Sequence, residues 1–319
     1  MRNPRMFPIA RRPDPSTTSA RRRRVHDWQN ERVNGDTPRA SDTRVDPALG
    51  TVVHVVGHRQ GRPNLPSNTD TTRCPFCPGG LEAPEPYDVR WFPNRWPALP
   101  GDRCEVVLYS PDHDASLATL EAAHVRQLID LWSERTYALG SRSDIAYVLV
   151  FENRGASVGA TISHPHGQIY AYDHVPDRPN RLLAAAPVAP ESNVIAADDH
   201  WITFVPWAPV HPTAVTIAPR RARGDLTELD DDERTSLARV LIDTCRRLDA
   251  LFGAPIPYMM WINQRPFDGS HPDAVMSIEF VSPWRDRDLP RYVAAAEIGA
   301  GEYFNPVVPE ELAARLRES

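Results

Sequence analysis

HPHGQIYAY, residues 164–172, closes a series of elements that the rest of the chain then repeats, and its reading decides the fold. GQIYAY alternates in character from one residue to the next, which is the period of a strand. Upstream, TVVHVVGHR (51–59), RCEVVLYS (103–110) and IAYVLVFEN (145–153) are β-rich runs. LATLEAAHVRQLIDLWSERTYALG (117–140) places Leu120, Ala123, Leu128, Leu131 and Trp132 at helical spacing and stops at Gly140. The second half has the same order. HWITFVPW (200–207) and TAVTIAP (213–219) read as strands, and LTELDDDERTSLARVLIDTCRRLDALFG (226–253) as a long amphipathic helix with an acidic start and a glycine stop. PYMMWINQ (257–264) and AVMSIEFVSPW (274–284) are strands again. Each half is strand, strand, helix, strand, strand. The expectation is an α+β fold built by duplication, with two lobes of antiparallel sheet and flanking helices, over residues 44–178 and 190–319. A helix is also expected over 286–297.

The 319 residues suit two lobes of this size, and 41 % hydrophobic residues suffice for a core. The net charge of −6 gives the body no general affinity for nucleic acid. No apolar run approaches the ~18 residues that span a membrane. MRNPRMFPIARRPDPS lacks the apolar centre of an export signal. A cytoplasmic protein is expected, with neither a membrane nor a nucleic acid as partner. Residues 1–43, with the Arg21–Arg24 run and many Pro, Ser and Thr, read as a disordered basic arm.

Two constellations carry chemistry. Cys74 and Cys77 of CPFC, His113 of SPDH and His164 make a closed set of two thiolates and two imidazoles suited to one structural zinc ion. The CxxC alone would equally fit free or redox thiols. His166 stands two residues from His164, and i, i+2 in a strand point the same way. If His164 takes the metal, His166 is close by and left for other work. An imidazole can attack phosphorus and divide one displacement into two. Gln168 can donate a neutral hydrogen bond to a phosphoryl oxygen. The preceding loop FENRGASVGATIS (151–163) supplies small donors, among them Asn153 and the backbone at Gly159. Arg59 and Arg62 can neutralise the transferring charge. On spacing alone, HPH reads almost as well as an edge strand with two solvated histidines.

SHPHGQIYA, FENRG, SPDH, CPFC and RVDPALGTVVHVVGHRQGRP together resemble the galactose-1-phosphate uridylyltransferase family of the histidine-triad superfamily. The resemblance runs from about Arg44 to the C-terminus and is strongest up to residue 176. It implies that the duplicated unit is a histidine-triad-like one. It implies a nucleotide sugar and a sugar 1-phosphate as substrates and a ping-pong reaction, in which His166 carries UMP from UDP-glucose to the second sugar phosphate. The family's zinc ligands fall on Cys74, Cys77, His113 and His164. Its substrate contacts fall on Arg59, Arg62, Asn94, Asn153, Thr161 and Gln168. Gln168, where related hydrolases have a third histidine, should favour transfer over hydrolysis. A homodimer with shared active sites is also implied.

The departures fall on the sugar side and on a second metal. Some family members hold a second metal at positions that here are Leu182, Asn263, Ser277 and Glu279, so no second metal is expected. Glu297 matches the carboxylate that grips sugar hydroxyls, but Ala296 and Tyr303 replace its usual polar neighbours. Asn94 remains for the ribose, with Arg95 where an acidic residue is common. Losing donors relaxes or redirects a hydroxyl-reading site. Two other functions stay open at this point: a phosphorylase of nucleotide sugars or dinucleotides that uses inorganic phosphate, and a non-catalytic zinc-stabilised nucleotide-binding module.

Overall fold

The computed structural model describes residues 42–57, 59 and 74–319. The basic arm and Arg62 lie outside the described residues, apart from the arm's last two positions. The described residues belong to one compact unit. A hairpin of β1 (Asp42–Val45) and β2 (Val52–Val55) comes first. Then follow β3 (Arg90–Pro93), β4 (Cys104–Leu108), α1 (Ala122–Gly140), β5 (Tyr147–Arg154), β6 (His166–Tyr172) and α2 (Asp177–Leu182). The second half contributes β7 (Val194–Ala197), β8 (Trp201–Phe204), β9 (Thr213–Pro219), α3 (Asp231–Phe252), β10 (Tyr258–Asn263) and β11 (Ser277–Ser282). A small hairpin of β12 (Trp284–Asp286) and β13 (Leu289–Pro290), α4 (Ala295–Ala300) and α5 (Pro309–Glu318) end the chain.

The duplication is visible in the topology. One antiparallel sheet of nine strands runs in the order β3-β4-β6-β5-β10-β11-β9-β8-β7. The first half supplies four neighbouring strands and the second half five. The two sets join where β5 pairs with β10, Glu152 opposite Met260. Each set is read outward from that seam in the same way: β5, β6, β4, β3 on one side and β10, β11, β9, β8 on the other.

Alternation along the strands sends one row of side chains to each face. On one face Val107, Val148, Val150, Ile169, Ala171, Val215, Ile217, Ile262, Ile278 and Phe280 join a single core with α1 and α3. In α1 the buried Val125, Leu128, Ile129, Trp132 and Leu139 make the inward stripe; in α3 Leu237, Leu241, Cys245 and Leu248 do so. Arg234 of α3 ties the pair by donating to Asp130 (3.0 Å) and to the Ser133 hydroxyl (2.9 Å) of α1. The other face of the sheet is left for the chemistry. No helix among the described residues is long and apolar enough to cross a membrane.

Three expectations change. The first helix begins at Ala122, because Leu117–Leu120 form turns instead. The strand after the HPH motif begins at His166, so His164 stands outside it. The expected helix over 286–297 is a tight hairpin followed by the six residues of α4. Asp288 turns the chain at φ 56°, and Pro290 cannot donate within a helix.

The acidic start of α3 is a capping box: Glu233 N donates to Asp230 Oδ1 (2.9 Å) and Asp230 N to Glu233 Oε2 (3.0 Å). Asp230→Ala should lower stability by about 1 kcal/mol, read from the urea midpoint at constant slope.

Candidate active site

The CPFC knuckle is folded around Gly80. A Cβ there would lie 2.6–2.8 Å from the carbonyl oxygens of Cys74, Pro75 and Cys77, so only glycine fits. Gly80 N donates to the Cys77 carbonyl (2.8 Å) and Glu82 N to the Pro75 carbonyl (2.9 Å). The knuckle packs Cys74 and Phe76 against Val106 and Leu108 on the open face of the sheet.

There the first constellation assembles. Ligand atoms of Cys74, Cys77, His113 and His164 lie within 4.8 Å of one another, and three of the four residues are buried. Cys77 Sγ stands 3.5 Å from His113 Nδ1 and 3.6 Å from His164 Nδ1. Those separations match the edge of a tetrahedron whose metal bonds are about 2.2 Å long. His164 Nε2 is 2.7 Å from the Ser110 carbonyl and 2.9 Å from the Tyr87 hydroxyl. The carbonyl fixes the proton on Nε2 and turns the Nδ1 lone pair toward the sulfurs. Burial pulls the His164 imidazole down to about 4, which keeps it in the neutral form that a metal takes. Burial, then the neighbouring Cys74, pushes the Cys77 thiol up to about 11. A bound cation reverses that pressure and makes the thiolate the stable form. The donor set fits a metal ion.

The second constellation lies beside the first. His166 opens β6 on the open face, with the Phe76 ring edge-on at 5.1 Å. Its Nδ1–H donates to the His164 carbonyl (2.8 Å). In that tautomer Nε2 carries the nucleophilic lone pair. Gln168 Oε1 accepts from Asn94 Nδ2 (3.1 Å), which orients the amide so that its NH2 group is the donating end. Asn94 Oδ1 in turn accepts from Trp96 N (2.8 Å).

Three cavities share the His166 side chain. One of about 520 Å³ runs over the knuckle to Asn94, Arg95, Trp96, Thr161 and Gln168. One of about 240 Å³ is lined by Arg59, Asn153, Gly159, Thr161 and Gln168. The third, about 220 Å³, lies under the FENRG loop toward Asn153 and His164. Gly159 reaches its place at φ 93°, a conformation that favours glycine. The fold therefore brings Arg59, Asn94, Asn153, Gly159, Thr161, His166 and Gln168 together.

Glu297 is elsewhere in the single chain. It is 4 % exposed, and its carboxylate accepts from Arg291 and from the backbone of Ala294 (2.8 Å) and Phe304 (2.9 Å). At the positions considered for a second metal, Glu279 is forked by Arg178 Nη2 at 2.8 and 3.0 Å. Asn263 Nδ2 donates to Glu279 Oε1 (2.7 Å) and Ser277 Oγ (3.1 Å). Leu182 lies in α2.

Sequence reasoning missed Tyr87. Its hydroxyl donates to the Phe76 carbonyl (2.7 Å) and lies against His164 Nε2, so it links the knuckle to the histidine. It sits in EAPEPYDVR, which has no periodic pattern to mark it.

Comparison with known proteins shows the family. The profile described as galactose-1-phosphate uridyl transferase, N-terminal domain, matches residues 16–176, and the C-terminal domain profile matches 156–294. The chain belongs to the galactose-1-phosphate uridylyltransferase family. It is an enzyme of the nucleotidyltransferase class. The galactose-1-phosphate uridylyltransferase of Thermotoga maritima is 35 % identical over 87 % of this chain and 98 % of its own. That of Streptomyces lividans is 34 % identical over 92 % and 91 %. A solved uridylyltransferase structure, 28 % identical, superimposes with a TM-score of 0.76 over 86 % of this chain and 97 % of that one. An ADP-glucose phosphorylase from Arabidopsis thaliana shares the fold at 24 % identity, with a TM-score of 0.66.

Tyr87→Phe should lower stability by about 1 kcal/mol by removing a part-buried hydroxyl from its partners. A fall in melting temperature with the His166 side of the site chemically intact is the expected result.

Proposed function

We propose that the protein moves UMP between UDP-hexose and a sugar 1-phosphate, galactose 1-phosphate or a related one, through a covalent nucleotidyl-His166 intermediate. The observation that carries this reading is the hydrogen bond from His166 Nδ1–H to the His164 carbonyl, which makes Nε2 the attacking nitrogen. In the first half-reaction Nε2 bonds to the α-phosphorus, and the bond from that phosphorus to the bridging oxygen breaks. Sugar 1-phosphate leaves with the electron pair. In the second, a phosphate oxygen of the incoming sugar 1-phosphate attacks the same phosphorus and Nε2 departs. Gln168 donates to a phosphoryl oxygen and holds no acidic proton for water chemistry. Arg59, Arg62, Asn153 and the Gly159–Thr161 loop contact phosphate oxygens, and Asn94 stands on the nucleoside side.

The lobe of residues 44–178 carries this chemistry, and that of 190–319 supports it. Cys74, Cys77, His113 and His164 hold a structural zinc ion. Zinc bound there would fasten the knuckle to the entry of β6. We assign the enzyme to the cytoplasm and to a homodimer with shared sites. The loop around Glu297 leaves Ile298 71 % and Phe304 67 % exposed, an apolar surface suited to a second copy. The inward engagement of the Glu297 carboxylate also keeps a second reading in view, a phosphorylase that uses inorganic phosphate in place of the sugar phosphate.

Intact mass after mixing with UDP-glucose, ADP-glucose or GDP-mannose separately tests the mechanism. A gain of one UMP with UDP-glucose alone is expected, and release of that UMP to phosphate without any sugar phosphate would favour the phosphorylase. His166→Gly should form no adduct while keeping its fold and zinc content. Wild-type exchange by that variant would remove His166 as the nucleophile. Cys74→Ser should bind less zinc and melt several degrees lower, on the order of the loss expected for a structural ligand; full zinc occupancy with an unchanged melting temperature would refute the structural site.

A further inference from the structure

His166 and Gln168 face the cavities, and Gly167 between them faces the helices. What lies beneath Gly167 is polar. A Cβ on it would stand 2.2 Å from the Tyr109 hydroxyl and 2.9 Å from the Phe151 carbonyl oxygen. The catalytic strand thus rests directly on the Tyr109 hydroxyl. Tyr109 itself is fully buried, and its backbone and ring are held. Its N–H donates to the Pro165 carbonyl (3.1 Å), its carbonyl accepts from His124 Nε2 (2.6 Å), and its ring meets Trp132 of α1 edge-on at 5.7 Å.

The hydroxyl faces a buried carboxyl group. Glu152 follows the same alternation as Gly167: Phe151 stands opposite Gln168 of β6, so Glu152, one position on and 5 % exposed, belongs to the inward row. Glu152 Oε1 accepts from the Tyr258 hydroxyl of β10 (3.1 Å), against which Cys245 of α3 lies at 3.9 Å. Glu152 Oε2 and the Tyr109 hydroxyl interact with each other, yet neither reaches a full hydrogen bond. An unsatisfied buried pair of this kind costs stability.

We propose that protonated Glu152 and Tyr109 are positioning residues of the transfer reaction: they set the height of Gly167, and through it the places of the His166 imidazole and the Gln168 amide. The proposal rests on the assignment of His166 as the nucleophile. The proton matters because of which way the bond runs. With Glu152 as the acid, its O–H is the group that can turn toward the Tyr109 oxygen and donate. When it ionises, the Tyr109 hydroxyl must turn and donate instead, and the surface under Gly167 changes. Burial raises the Glu152 carboxyl to about 7, against the opposing effects of Arg154, Tyr258 and Tyr109. The groups that face it are Tyr109 from the end of β4, Tyr258 from β10, Cys245 from α3, and Arg154 of its own strand. Arg154 is itself paired with Asp249 of α3 at 2.8 and 3.0 Å.

The test is the rate of adduct formation from UDP-glucose, measured against pH in the full-length, zinc-loaded protein. This half-reaction avoids the sugar monophosphate, whose own titration would overlap. The wild type should lose rate on an alkaline limb near the Glu152 transition. Glu152→Gln should lack that limb, and its melting temperature should gain on the wild type as pH rises from 5 to 8. The sign follows from the raised carboxyl: the unfolded chain releases this proton first, so the native wild type loses stability through that interval. Tyr109→Phe should transfer about tenfold to a hundredfold more slowly, with KM little changed, and its limb should move up, since the tyrosine hydroxyl helps to hold the carboxylate form. An alkaline limb that stays in place in Glu152→Gln, or a wild-type rate in Tyr109→Phe, overturns the proposal. If Glu152→Gln does not fold, an unmoved limb in Tyr109→Phe overturns it alone. Exchange that survives in His166→Gly would instead strike the nucleophile assignment, which separates the two failures.

Discussion

Two hydrogen bonds to carbonyl oxygens give the histidines of HPH different work. His164 places its Nε2–H on the Ser110 carbonyl at 2.7 Å and so turns Nδ1 toward the cysteines. His166 places its Nδ1–H on the carbonyl of His164 at 2.8 Å and so offers Nε2. The rings are chemically identical, and the backbone oxygen that each meets is what separates the proposed ligand from the proposed nucleophile. Pro165 makes this possible. It has no N–H to give a ladder, so β6 begins at His166, and its carbonyl accepts from Tyr109 N. Everything at the site depends on that one-residue offset between the end of the loop and the start of the strand.

The candidate metal cluster and the proposed nucleophile are therefore joined through one backbone group. The His164 carbonyl that fixes the His166 tautomer belongs to a residue whose side chain is committed to the cluster. Tyr87, the Gly80 knuckle and Ser110 hold that residue from three sides. Without a cation, burial favours a neutral thiol at Cys77 and a neutral imidazole at His164. A donor set that is expensive to charge and already gathered to within 4.8 Å is ready for a divalent ion.

Much of this was legible in the sequence because it is local. Helical spacing marked α1 and α3, alternation marked β6, and β-rich runs marked β4, β5, β8, β9, β10 and β11. CPFC, SPDH and HPHGQ carry their chemistry within a few residues each. What stayed hidden is held by distant contacts or short elements. β3 is four residues of RWFP and owes its pairing to β4. Tyr87 meets His164 across 77 residues. Tyr109 looked like the end of an ordinary strand, and the residue that explains it is Gly167, on the neighbouring strand β6. The stretch 286–297 has helix-forming residues at its end, but Asp288 and Pro290 impose a turn first.

The duplication explains why one half is free to be chemical. On the open face β6 presents His166, Gln168 and Tyr170, whereas β11 presents Ser277, Glu279 and Val281. Glu279 is paired with Arg178, whose guanidinium also lies 4.9 Å from the Trp261 ring, and these side chains line a separate cavity of about 630 Å³. The two halves share one sheet and one core, and Glu152 stands at their seam opposite Met260. A carboxyl placed there faces Tyr109, just past β4, and meets the second half through Tyr258. In the proposed mechanism the second half still bears on His166 from below, because the hydroxyl that donates to Glu152 comes from β10.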